Sequence, residues 1–271
     1  MKQVRLALSG SGYRLPAHLG ALYAVDEAGL SIPEISSTSG GSIIAALFAS
    51  GISLADLREL CMTLDWAPYM TFSPWTFITK GALCTGDKLL DFLMLKTQGK
   101  TFADIDIDLK IVASDWLTEK EFVFSKATTP TAPIALAARA SASIPLVFMP
   151  VDYAGISAVD GGCCENLPAG VLTVDDIPRM GISLQSDDAP MKPGKYGFST
   201  FLPRLIDLLL ASNETSQLAL YLKNNTIIVR VPTGSASSFD RNMDTATRQM
   251  LFDAGHSATK AALSALNPSS L

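Results

Sequence analysis

Along the chain, short apolar runs alternate with longer segments of helical spacing. Val4–Ser9 (Val-Arg-Leu-Ala-Leu-Ser) predicts a buried first strand that breaks at Gly10-Ser11-Gly12. Pro16 suits a first helical turn, and a helix over Ala17–Ala28 is stopped by Gly29. Ile35–Thr38 reads as a second strand and about Gly40–Ser50 as an Ala/Ile-rich helix, after which Ser53 can cap a helix over Leu54–Leu64. Lys110–Trp116 and Glu121–Ser125 read as strands able to pair, Ala132–Ala142 as a helix ending before Pro145, and Gly155–Val159 as strand-like. Arg179–Leu184 and Thr226–Val231 predict further strands, with helices over Phe201–Leu222 and Asp244–Leu266. Strands alternating with helices imply the α/β class, a three-layer α/β/α arrangement with a mostly parallel central sheet covered on both faces. No repeat or linker breaks the pattern, so one domain is expected over residues 1–271.

Composition narrows the class. The chain has 271 residues, 48% of them hydrophobic and only 17% charged; an average soluble domain carries about 25% charged residues. A mean hydropathy of +0.28 excludes disorder, which needs low hydrophobicity and high net charge. The formal net charge of −5 argues against a nucleic-acid footprint. A membrane-spanning helix needs roughly 20 consecutive apolar residues. Ile43–Ile52 is too short, and Ile134–Val151 carries Arg139, Ser141, Ser143 and Pro145, so no transmembrane segment is expected. Met1-Lys2-Gln3 leads into the first strand without a signal-peptide core. Cys61, Cys84, Cys163 and Cys164 have no metal-ligand spacing and there are only two histidines, so no metal or other cofactor is expected. The thiols read as reduced and the chain as cytoplasmic, with export by a route lacking a cleavable signal left open.

Three local patterns carry candidate chemistry. Ser37-Thr38-Ser39-Gly40-Gly41 sits between a strand and a helix. A nucleophile elbow needs small residues there, because the sharp turn brings backbones together and presents the serine Oγ; a simple Ser/Gly helix cap has the same composition. Gly10-Ser11-Gly12-Tyr13-Arg14-Leu15 also lies between strand and helix. As a dinucleotide fingerprint it lacks the third glycine, where Leu15 stands. As an oxyanion hole it offers backbone N–H groups near a helix start, and as bare structure it is a tight turn. A serine nucleophile needs a base. His18 and His256 both fall within predicted helices, while Asp160-Gly161-Gly162 follows a strand-like run. A buried carboxylate can serve as base directly, although Asp-Gly is also an ordinary turn.

Together these segments resemble the patatin-like phospholipases. The resemblance rests on Leu8-Ser9-Gly10-Ser11-Gly12-Tyr13-Arg14 with His18-Leu19-Gly20, the elbow around Ser39, Ala140-Ser141-Ala142-Ser143-Ile144-Pro145 with Phe148 and Pro150, and Val159-Asp160-Gly161-Gly162 with Asn166-Leu167-Pro168. It covers residues 4–168 in the family's order, leaving 169–271 as the helix and strand completion of one patatin-like domain. The resemblance implies a cofactor-free lipid acyl hydrolase (phospholipase A, lysophospholipase or carboxylic ester hydrolase) acting through a Ser39–Asp160 dyad and a covalent acyl-enzyme. It implies an oxyanion hole at Gly10, Ser11 and Gly12, with Ser11 and Gly12 as donors and Gly10 shaping the turn. Arg14, Gly40, Gly41, Gly161 and Gly162 would support these groups, Arg14 either anchoring the loop or reading substrate charge. Three positions depart from the family pattern: Ser11 and Leu15 stand where glycines are usual, and Ser37 replaces the elbow's first glycine. An acyltransferase of related architecture and a non-catalytic lipid-binding regulator are the alternatives; Gly40, where such transferases commonly carry histidine, disfavours the first.

The expected partner is an acyl lipid, with a membrane surface as one place to meet it, and no nucleic acid; oligomeric state is open. Trp66-Ala67-Pro68-Tyr69-Met70-Thr71-Phe72-Ser73-Pro74-Trp75-Thr76-Phe77 packs two prolines and five aromatics into a dozen residues, a poor regular helix. Trp66, Tyr69, Phe72, Trp75 and Phe77 are therefore candidates for a lid or acyl-chain wall, against the alternative of a satellite packed cluster.

Overall fold

The computed structural model describes residues 2–186, 193–197, 200, 201, 204, 221 and 226–265. The helix expected over 201–222 falls almost wholly outside them. The described strands are β1 (Arg5–Leu8), β2 (Glu34–Thr38), β3 (Asp108–Asp115), β4 (Lys120–Ser125), β5 (Val151–Tyr153), β6 (Ile156–Val159), β7 (Arg179–Gln185) and β8 (Thr226–Pro232). They form one sheet in the order β5-β6-β3-β2-β1-β7-β8, with β4 also on β3. β1, β2, β3, β7 and β8 run parallel, whereas β4 and β6 pair antiparallel with β3 and β5 antiparallel with β6. The sheet is thus the expected α/β type with an antiparallel margin.

The described helices are α1 (Leu15–Glu27), α2 (Ser39–Ala49), α3 (Leu54–Thr63), α4 (Pro74–Lys80), α5 (Asp87–Lys96), α6 (Ile134–Ser141) and α7 (Thr245–Ala265). Along one face α7, α1, α2 and α6 pack in succession over a core that includes Leu6, Leu8, Ile44 and Leu47. On the other face Ala7 packs with Leu167, Ala169, Leu172 and Tyr221. The period-two alternation of β1 therefore feeds two cores, as a doubly covered strand requires. Among the described residues, no helix is long and apolar enough to cross a membrane.

Two helices differ from the sequence reading. The segment read as irregular contains α4, because Pro74 occupies its first turn, where a proline's missing N–H is not needed. Ser73 caps it by accepting the Thr76 N–H at 3.2 Å. α5 is not among the elements expected from the sequence, although Leu89, Phe92 and Leu93 fall at i, i+3 and i+4 and are buried.

The register around β3 decides where the chemistry sits. β2 runs along β3 from Glu34 opposite Asp108 to Thr38 opposite Val112, then leaves the sheet. β4 occupies the other edge of β3 over Lys110–Asp115. β6 therefore takes up the edge that β2 vacates, meeting β3 at Val159 opposite Ser114 and Ala158 opposite Asp115. Because β2 is parallel and β6 antiparallel to β3, the two chains run head-on toward each other. One step past Thr38 is Ser39, and one step past Val159 is Asp160; both registers arrive at Ala113.

α1 and α7 cross at glycines. A Cβ on Gly255 would fall inside the carbonyl oxygen of Ala17, and one on Gly20 inside that of Phe252. Both obstacles are backbone atoms of a packed helix and cannot swing aside. Gly255→Ala should therefore lower unfolding stability by about 1–3 kcal/mol, read by urea denaturation, despite alanine's better helix propensity.

Candidate active site

Ser39 is the first residue of α2, directly after the buried strand Glu-Ile-Ser-Ser-Thr. Its φ of 50° is the left-handed value that a non-glycine residue adopts only when its surroundings impose it. The imposing contacts are visible. The Ser39 N–H donates to Ser141 Oγ at 2.8 Å, and that hydroxyl donates to the Val112 carbonyl at 2.5 Å. Ser42 Oγ donates to the Ser39 carbonyl at 2.5 Å, and Thr38 Oγ1 donates to the Glu165 carbonyl at 2.9 Å. The small residues after the serine are required by close approach. A Cβ on Gly40 would come 2.5 Å from the Gly12 carbonyl oxygen, and one on Gly41 would come 2.8 Å from that of Leu8.

Asp160 faces Ser39. The Ser39 hydroxyl donates to Asp160 Oδ2 at 2.6 Å, while Asp160 Oδ1 accepts the Gly162 N–H at 2.8 Å. The Asp160 backbone is tied as well, its N–H to the Ser143 carbonyl and its own carbonyl to Ser114 Oγ, both at 2.9 Å. Gly161 must lack a side chain, since a Cβ there would enter the Val112 carbonyl. Burial pushes the Asp160 carboxyl up to about 6, against the two hydrogen bonds that favour its charged form. The result is a carboxylate ionised at neutral pH yet basic enough to take a proton.

The Gly10–Gly12 turn lies against this pair; a Cβ on Gly10 would sit 3.5 Å from that of Ser39. The Gly10 N–H donates to the Asn166 carbonyl at 3.0 Å, which fixes the turn. The N–H groups of Ser11 and Gly12 have no acceptor among the described residues. Gly12 has a φ of 55° and abuts the Ser238 carbonyl, so a glycine is needed there. Ser11 keeps its amide, and its hydroxyl turns to the Gly12 carbonyl at 3.3 Å. Arg14 donates to the Ser11 carbonyl at 3.1 Å and to Thr233 Oγ1 at 3.0 Å, the contacts of a loop anchor.

Both histidines lie elsewhere. His18 is fully buried with its pKa held down to about 4 by desolvation, and its Nε2–H donates to the Ser9 carbonyl at 2.8 Å. His256 meets Glu27 at 2.9 Å on α7.

A cleft opens over Ser39. Its walls are almost wholly apolar: Leu15, Ile43, Trp66, Tyr69, Met70, Leu89, Ile144 and Phe148, with Phe239 from the loop after β8. Trp66 and Tyr69 thus stand in the wall. Phe72, Trp75 and Phe77 do not line it: Phe72 lies beneath the Arg241 guanidinium, and Trp75 is 73% exposed on α4. The proline-started helix carries Trp75 outward, and Phe72 lies in the chain before it. No sequence motif marks a role for Ser141, Met70 or Phe239. Ser141 and Phe148 lie in the stretch Ala140–Pro150 that carries part of the family resemblance, whereas nothing in the pattern around Phe239 points to the cleft.

A family model described as patatin-like phospholipase matches residues 6–173. The chain belongs to the patatin-like phospholipase family. Relatives of this patatin-like chain include protein R571 of Acanthamoeba polyphaga mimivirus, 29% identical over 94% of this chain and 92% of that one. YqhO of Bacillus subtilis is 26% identical over 85% and 88%. An NTE family protein of Mycobacterium tuberculosis, MT2641, is 30% identical over 64% of this chain but only 29% of its own length. Among solved structures the fold matches VipD from Legionella pneumophila, with a TM-score of 0.63, 14% identity and 97% of this chain covered. It also matches the type III effector ExoU, with a TM-score of 0.58, 16% identity and 97% coverage. At 14% and 16% identity the likeness is one of fold, and the chain spans 66% and 52% of those two chains.

The raised carboxyl has a consequence for stability. A group whose folded pKa lies above its ordinary 3.8 favours the fold below that value and loses this contribution as pH rises through about 6. At neutral pH the buried charge therefore opposes folding, on the order of 3 kcal/mol. Asp160→Asn should raise the melting temperature at pH 8 and leave it nearly unchanged at pH 4, measured by calorimetry across pH.

Proposed function

We propose that this patatin-like chain is a lipid acyl hydrolase working through Ser39 and Asp160. The observation that carries the reading is the 2.6 Å hydrogen bond between Ser39 Oγ and Asp160 Oδ2, buried at the floor of an apolar cleft. As an acyl ester enters, Ser39 Oγ bonds to the carbonyl carbon and its proton passes to Asp160. The N–H groups of Ser11 and Gly12 are the available donors for the oxyanion. Collapse of the tetrahedral intermediate expels the alcohol, which takes the proton from Asp160, and leaves the acyl group on Ser39. Water then attacks with Asp160 again as base, releasing the fatty acid and restoring the serine. A single carboxylate does the work usually shared by histidine and aspartate, which its raised pKa permits. Metal ions and cofactors enter no step of this scheme.

The cleft argues for a long apolar acyl group rather than a small polar ester, since it offers little beyond the dyad to hydrogen-bond. An acyltransferase or a non-catalytic binder would share much of this geometry. The serine already engaged with its base favours hydrolysis over mere binding.

Ser39→Ala and Asp160→Asn should each lower turnover of a medium-chain acyl ester by at least about a thousandfold, with the fold kept by circular dichroism. The kcat/KM of the unsubstituted chain should rise with pH and level off above about 6, the value at which Asp160 becomes a base. A fluorophosphonate should label Ser39 alone. Activity surviving in Asp160→Asn but lost in His18→Ala or His256→Ala would overturn the dyad.

A further inference from the structure

The segment that walls the cleft has a second face. Between Trp66 and Gly86 the chain carries a single charged side chain, Lys80. Trp66, Tyr69 and Met70 turn inward to the cleft. α4 turns outward instead, with Trp75 73% and Ile78 76% exposed, one helical turn apart on the same face. Phe72 and Leu146 are also exposed, at 45% and 43%. Backbone hydrogen bonds join these positions to the mouth: the Ser73 N–H donates to the Leu83 carbonyl, and the Leu83 N–H donates to that of Leu146. Leu146 stands between Ile144 and Phe148, both lining the cleft. The segment that carries the exposed apolar side chains is therefore joined through its backbone to the segment that supplies Ile144 and Phe148 to the cleft wall.

Large apolar side chains left in water next to an apolar cleft call for an apolar cover. We propose that α4 is the element by which this protein seats itself on a phospholipid bilayer, Trp75 and Ile78 entering the headgroup boundary with the cleft mouth turned to the lipid. The inference deepens the proposed function and rests on it for the reason a bilayer should face the cleft. Chemistry selects lipid over a protein partner. The face mixes an indole with aliphatic groups, the composition suited to the apolar–water boundary. Its surrounding cations suit phosphate headgroups: Lys80 ends α4, Lys88 Nζ meets Thr71 Oγ1 at 3.4 Å, and Arg241 lies over Phe72 while donating to the Met70 carbonyl at 2.8 Å. Of the neighbouring acids, Asp65 caps the Ala67 N–H at 2.9 Å, and the charge of Asp87 acts on the buried Arg139. Exposed Trp116 and Leu117, at the tip between β3 and β4, are a different case, followed after Thr118 by Glu119, Lys120 and Glu121.

The test uses the full chain carrying Ser39→Ala, so that binding is read without chemistry, and sucrose-loaded vesicles of phosphatidylcholine with phosphatidylglycerol. Cosedimentation and a blue shift of tryptophan emission should report binding. Trp75→Ser with Ile78→Ser should weaken partitioning on the order of tenfold or more, and Trp116→Ser should leave it unchanged. In the otherwise unsubstituted chain, the α4 pair should leave the melting temperature and turnover of a soluble short-chain ester unchanged, while turnover of vesicle lipid falls. Equal vesicle binding with and without the α4 pair would overturn the inference, as would equal loss in Trp116→Ser. So would a concentration-dependent dimer in sedimentation that the α4 substitutions dissolve, which would make a second copy the occupant. Vesicle binding through α4 with no ester hydrolysis would instead sink the proposed function alone.

Discussion

The structure turns on one edge of one strand. β3 lends its edge first to β2, running parallel, and then to β6, running antiparallel, and the two chains meet opposite Ala113. Each must leave the sheet abruptly where they converge. On the β2 side the departure is the left-handed residue at Ser39; on the β6 side it is the turn that opens with Asp160. The small residues around the site follow from this collision. Gly161 clears the Val112 carbonyl, Gly40 clears Gly12, and Gly41 clears Leu8. Ser141 fills what remains, bridging the Ser39 N–H to the same Val112 carbonyl. Reactive geometry and sheet geometry are here the same constraint.

Burial links the acidity of Asp160 to the walls of the cleft. The apolar walls of the cleft stand over a floor in which Asp160 is buried, and desolvation is what lifts its carboxyl to about 6. An open, wet site would leave that carboxylate near 4, too weak a base for a serine hydroxyl. The protein accepts a buried charge that opposes folding at neutral pH, and the hydrogen bond from Gly162 limits the penalty. Neither histidine can substitute, since His18 is neutral and committed to Ser9 while His256 lies on α7.

These relations were unequally legible in the sequence. The elbow could be read locally, because a strand followed by Ser-Gly-Gly and an alanine-rich helix leaves few conformations. Asp160 could be read as a turn-borne acid, but not as the partner of a residue 121 positions away without family resemblance. That pairing depends on β6 entering antiparallel on an edge that β2 has vacated, and no periodicity encodes which edge a strand takes. Ser141 was silent for a related reason. Both its partners are backbone atoms, so no side-chain pattern marks it. α4 is hidden from a count of prolines and aromatics because position matters more than number: Pro74 begins the helix that it would have broken from within.

α4 also bears on why the chain is so poor in charge. A doubly covered sheet accounts for part, since β1, β2 and β7 are buried along almost their whole length. It does not account for 21 residues between Trp66 and Gly86 with one charge, because much of that stretch is at the surface. A segment that is apolar both on the inner face that lines the cleft and on its exposed outer face has nowhere to put charged side chains except at its ends. Asp65, Lys80 and Asp87 stand at such ends: before the segment, at the close of α4, and beyond Gly86. The low charge of the chain is therefore partly a property of this two-faced wall rather than of the core alone.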